Sequence, residues 1–128
     1  MQEKDLFEYA VIRIVPRVER EEFLNVGVIL FCPRQKFLKA KCELNIARLK
    51  ALNSSDLDVE EIEHNLGSLM KIADGGKGGG PIGELDMPSR FRWLTATRST
   101  VVQSSKVHPG FCEDAGKTLE RLYTQLVL

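Results

Sequence analysis

Residues 9–15 (YAVIRIV) are apolar at six of their seven positions, mostly with β-branched side chains. Such a run predicts a strand in the middle of a sheet, covered on much of both sides. Pro16 ends it, because proline has no N–H to give to the ladder. Residues 17–25 form a charged connection with room for one helical turn. Residues 26–32 (VGVILFC) predict a second strand, and Pro33, Arg34, Gln35 and Lys36 a polar turn. Residues 37–44 (FLKAKCEL) then alternate, with Leu38, Ala40, Cys42 and Leu44 on one side and Lys39, Lys41 and Glu43 on the other. That is the pattern of a half-solvated strand. A four-residue turn puts Leu38 and Ala40 on the face of Phe31 and Ile29. Cys42 then lies across from Gly27, away from Cys32, and no Cys32–Cys42 disulfide is expected.

The period changes after Leu44. Asn45 can cap a helix over IARLKAL, with Asn53 able to close it. Asp58, with Glu61 three residues later, forms a capping box. The helix it opens carries Val59, Ile62, Leu66, Leu69, Met70 and Ala73 as one apolar stripe, read as core rather than as a cofactor contact. Glu60, Glu61 and Glu63 favour its positive end. Residues 75–83, rich in glycine, are expected to be a flexible loop. Residues 89–97 predict a short helix that turns Phe91 and Leu94 inward. Residues 100–104 are strand-like, and His108, Pro109 and Gly110 read as a turn. A last helix starts near Asp114, with Leu119, Leu122, Tyr123 and Leu126 facing inward. The expectation is a single α+β domain over residues 1–128: an antiparallel sheet of three to four strands with helices mainly on one face.

Composition narrows the class. The chain has 128 residues, no formal net charge and a pI near 6.7. A nucleic-acid binder usually carries a basic excess, so that partner is not expected. No apolar run approaches the ~18 residues that span a bilayer, and the charged start MQEKDLFEYA is not a secretory signal. Cys32, Cys42 and Cys112 form no CxxC pair and leave an odd one over, which fits buried thiols in a reducing cytoplasm.

The richest stretch for chemistry is residues 90–105, RFRWLTATRSTVVQSS. It holds Arg90, Arg92 and Arg98, hydroxyls including Ser99 and Thr100, the amide of Gln103, Trp93 and no carboxylate. Guanidinium groups bind phosphate or carboxylate through two parallel bonds, so this stretch is a candidate anion site. The competing reading is a surface helix with solvated arginines and Trp93 in the core. Arg13 interrupts an apolar strand and must be paired if buried. Glu21, Glu22 and the amide of Asn25 are its candidate partners, and an anion ligand is the functional alternative. His108 completes the candidate set: Arg13, Arg90, Arg92, Arg98, Ser99, Thr100, Gln103 and His108. A hydrolytic set of Ser99 or Thr100 with His108 and Asp114 can be written down, but it has no nucleophile elbow. Gly78, Gly80 and Gly83 spell GxGxxG, yet a helix precedes it and Pro81 lies inside it, against a dinucleotide site. With two histidines and no ligand spacing, neither a metal nor a cofactor is expected.

Tyr9, Ala10, Val11, Ile12 and Arg13 with Pro16, then residues 22–31 (EFLNVGVILF), resemble the opening of the bacterial "domain of unknown function 3037" family. Trp93 to Ala96, Arg98 to Thr100, Val102, Gln103 and His108 to Gly110 are similar to its second block. The resemblance spans nearly the whole chain, apart from residues 75–83. It implies no activity or cofactor. It implies a partner protein or regulator, with a kinase-like protein as the partner. The combined expectation is a non-enzymatic interaction module of the bacterial cytoplasm. The alternative is a small enzyme or ligand-binding domain with an arginine-lined anion site.

Overall fold

In the computed structural model, residues 4–16, 22–51, 57–96 and 101–128 are described. Five strands form one antiparallel sheet: β1 (Asp5–Ile14), β2 (Leu24–Cys32), β3 (Phe37–Cys42), β4 (Val102–Ser104) and β5 (His108–Cys112). The helices are α1 (Ile46–Ala51), α2 (Val59–Asp74), α3 (Gly80–Gly83), α4 (Met87–Leu94) and α5 (Ala115–Leu126). The protein is α+β.

The β1–β2–β3 meander has the register that the alternation predicts. Ala40 faces Ile29, Leu38 faces Phe31, and Cys42 faces Gly27. All three cysteines are free thiols. Alternation gives the sheet two covered faces. On one, Ile12, Ile14, Ile29 and Phe31 pack against Ile62, Leu66, Ile72, Phe91 and Leu94 of α2 and α4. On the other, Phe7, Val28, Leu30 and Cys32 pack against Leu119, Leu122 and Tyr123 of α5. Most of the helical mass lies on the first face, and α5 closes the second. This is why residues 9–15 are apolar on both parities.

The helix starts follow from short polar side chains that accept the free N–H groups of a first turn. Asp58 Oδ1 accepts from the Glu61 N–H at 3.1 Å, Asp114 Oδ1 from Lys117 at 3.0 Å, and Asn45 Oδ1 from Arg48 at 3.1 Å. Asn53 lies outside the described residues. The helix expected over residues 89–97 begins earlier, at Met87, because Asp86 Oδ1 caps the Ser89 N–H at 2.8 Å and Pro88 suits the first turn. Phe91 and Leu94 are buried in it, as their spacing implies.

One local expectation is corrected. His108, Pro109 and Gly110 are not a turn but the start of β5, paired with Tyr9, Glu8 and Phe7. The Val15 N–H donates to the Val101 carbonyl, and the Val11 carbonyl accepts from the Ser105 N–H. Odd positions of β1 therefore bond toward β4 and β5. Pro109, opposite Glu8, turns its nitrogen away from the ladder and costs it no bond. Gly110 leaves room for the Phe7 ring, which a Cβ would meet at 2.6 Å.

The glycine-rich segment has local structure of its own. Residues 77–79 form a 3-10 turn and Gly80–Gly83 a helical turn. The Gly76 N–H donates to the Gly83 carbonyl at 2.8 Å, closing the loop on itself. Here glycines serve close backbone approach and positive φ.

The α5 face carries a pH signature. The Tyr123 hydroxyl donates to Glu43 Oε2 at 3.2 Å, and Lys41 Nζ sits 4.7 Å from the ring centroid. Burial, then the bond to Glu43, pushes the phenol up to about 12. An unfolded tyrosine ionises near ~10. The raised value means the folded chain holds its proton longer. Tyr123 thus adds stability that is fully present below about pH 10 and is lost as pH rises toward about 12. Ultraviolet titration should show a phenolate step near 12 that Tyr123→Phe abolishes. A spectrum with no step there in the parent chain would contradict this packing.

Candidate functional site: a cleft beside Trp93

A cleft of about 490 Å³ opens between α2 and the β1–β4 side of the sheet. Its floor is apolar: Ile12, Ile62, Leu69, Ile72, Leu94, Val101 and Val102. Asp58, Glu61, Asn65 and Ser68, spaced three or four apart along α2, make one polar rim, with Gln103 and Ser104 of β4 opposite. Trp93 and Ala96 stand at the end of α4. Among the described residues, the elements that flank the opening opposite α2 are short. β4 has three residues and α4 stops at Leu94, where the Thr95 hydroxyl bonds back to the Phe91 carbonyl. The sixteen-residue α2 runs past both. A mostly apolar hollow with a few convergent polar groups is the usual form of a ligand or partner site.

Among the described residues, the predicted Arg13, Arg90 and Arg92 are not in its lining. Arg13 lies on the α5 side of the sheet, since its neighbours Ile12 and Ile14 point into the α2–α4 core. Its guanidinium sits 4.2 Å over the Phe23 ring, and its buried Nε has no hydrogen-bond partner among the described residues. Phe23 comes from the connection expected to supply a partner. Asn25 faces Arg13 across the β1–β2 ladder, and Gln103 faces it across β1–β4. Glu21 lies outside the described residues.

Arg90 is held by the fold. Its Nη1 donates to the Leu85 carbonyl at 2.9 Å, and its guanidinium packs on Gly75, where a Cβ would lie 2.9 Å from Nη1. Arg92 is exposed. Ser89 hydrogen bonds, with smaller help from the Arg92 and Arg90 charges, hold the Asp86 carboxyl below the usual carboxylate range. Arg98, Ser99 and Thr100 lie outside the described residues. His108 is exposed on β5, its ring 5.4 Å from that of Tyr9. It cannot pair with Asp114: a strand rises about 3.3 Å per residue, so β5 alone separates them by about 13 Å. Asp114 instead caps α5.

Sequence reasoning missed the cleft because the α2 stripe was read wholly as core. The usable signal was Asp58, Glu61, Asn65 and Ser68, a polar row flanking that stripe at helical spacing. Trp93, weighed as either core or contact residue, is both: it packs on the core cluster and lines the cleft. Among the described residues, no group of three histidine, cysteine or acidic side chains could hold a metal, and no helix is long and apolar enough to cross a membrane.

The fold and its cleft define a small α+β protein with a candidate binding groove between helix and sheet. The chain belongs to the DUF3037 family of proteins of unknown function, whose model matches residues 9–127. No curated protein and no solved structure matches it.

Proposed function

We propose that this chain is a non-enzymatic interaction module of the bacterial cytoplasm whose working surface is the cleft, and that it takes up an apolar part of a partner protein. The observation that carries this reading is the open apolar floor beside Trp93, whose described rim holds uncharged and acidic groups. Three free thiols fit a reducing compartment. A kinase-like partner accords with what the family resemblance implies.

Trp93 is the single tryptophan, so its fluorescence reports on the cleft directly. The neutral apolar dye prodan should quench it in a saturable way. Ser68→Phe, which fills the rim, should abolish the quenching while leaving the melting temperature nearly unchanged. Equal quenching in both proteins would overturn the reading.

A second reading, a small-anion site, is favoured by one observation: the unpartnered Nε of Arg13, with Gln103 opposite. Phosphate distinguishes it. A saturable rise in melting temperature that disappears in Arg13→Gln would support the anion site. The cleft reading expects the same response in both.

A further inference from the structure

We propose that the occupant of the cleft is an extended partner segment of about six residues that seats an apolar side chain between Ile62 and Leu69 and places an adjacent arginine or lysine against Glu61. This rests on the cleft reading above and specifies its ligand.

Length argues for a peptide. The residues of α2 and its cap that line the cleft run from Asp58 to Ile72. At 1.5 Å per residue that row is about 21 Å long. An extended chain covers it in about six residues. Both banks also carry groups that can bond a main chain: Asn65 and Ser68 on one side, Ser104 on the other.

Charge argues for a basic neighbour. The described lining contains two carboxylates and no lysine or arginine. From Asp58 to Met70, α2 and its cap carry Asp58, Glu60, Glu61 and Glu63 with no cationic Lys or Arg; the first is Lys71. The helix dipole explains acids in the first turn. It does not require Glu61 to stand at the rim of an apolar hollow, where low-dielectric walls concentrate its field. A partner with an acidic residue beside its apolar anchor would be repelled.

The test uses two hexapeptides with blocked ends, Ser-Leu-Arg-Val-Ser-Gly and its Arg→Glu counterpart, displacing prodan from the full chain. The arginine peptide should act at a concentration about tenfold lower, and added salt should narrow the gap. Glu61→Arg should reverse the order and Glu61→Gln should flatten it. Glu61 is exposed and joins the cap only through its backbone N–H, which donates to Asp58 Oδ1, so both variants keep the helix start. Equal displacement, an order unchanged in Glu61→Arg, or no displacement by either peptide would overturn the proposal. Displacement by octyltrimethylammonium but by neither peptide would replace it with a small apolar cation. In each of these cases, prodan quenching lost in Ser68→Phe leaves the cleft reading standing. Unchanged quenching there would defeat that reading as well.

Discussion

Gly27→Ala should destabilise the protein by about 1–3 kcal/mol, the usual cost of forcing an extra methyl into a packed core. For a chain of this length that lowers the melting temperature by roughly 4 °C per kcal/mol. A Cβ at Gly27 would meet Cys42 Sγ at 2.5 Å and the Lys41 carbonyl oxygen at 2.7 Å. The sulfur can be removed, but the carbonyl belongs to the β3 backbone. Cys42→Ala in the same chain should therefore recover only part of the loss, measurable as a coupling in a double-mutant cycle. Full recovery would show that the backbone contact is unimportant. No loss at all would show that the β2–β3 spacing is wrong. Burial also pushes the Cys42 thiol up to about 12, consistent with its place inside this sheet face.

Gly83→Ala should have a similar effect, about 1–3 kcal/mol, by a different route. Its Cβ would lie 2.5 Å from the Gly76 carbonyl oxygen, beside the Gly76 N–H to Gly83 carbonyl bond that closes the segment. Exchanging residues 75–80 for a serine–glycine linker should cost stability as well, because Gly75 and Gly76 have positive φ and Arg90 packs on Gly75. Gly67 is the matched control. Nothing stands within 4 Å of its Cβ position in the middle of α2, so Gly67→Ala should stabilise by about 0.5–1 kcal/mol. Thermal unfolding of the three variants decides the matter. A neutral linker exchange would mean that residues 75–83 act as the open loop their composition implies.

The sequence is most legible where one local rule decides the structure. Alternation over residues 37–44 leads to the Gly27–Cys42 and Ile29–Ala40 pairs, because a one-residue slip would turn Leu38 and Ala40 out of the core. Asp58, Asn45 and Asp114 cap their helices because the first-turn N–H groups have no other partner. It is least legible where tertiary neighbours decide. Pro109 reads as a turn residue until β1 lies beside it and its nitrogen falls on the unbonded side. Glycines 75–83 read as a linker until Arg90 and the Gly76 carbonyl come close. Arg90, Arg92 and Arg98 read as a candidate site because they are near in sequence, and Arg13 because it interrupts an apolar strand. In space, Arg13 and Arg90 stand on opposite faces of the sheet, and Arg90 serves the glycine segment. The cleft depends on how far α2 outruns β4 and α4, a difference of lengths that no single motif announces.

Amide chemical-shift mapping of the full chain with prodan tests the central claim most directly. The cleft reading predicts saturable shifts confined to the Glu61 to Ile72 flank of α2, to Trp93 and Ala96, and to Val101 through Ser104. Largest shifts on the other side of the sheet, at Lys41, Leu119 and Tyr123, would contradict it.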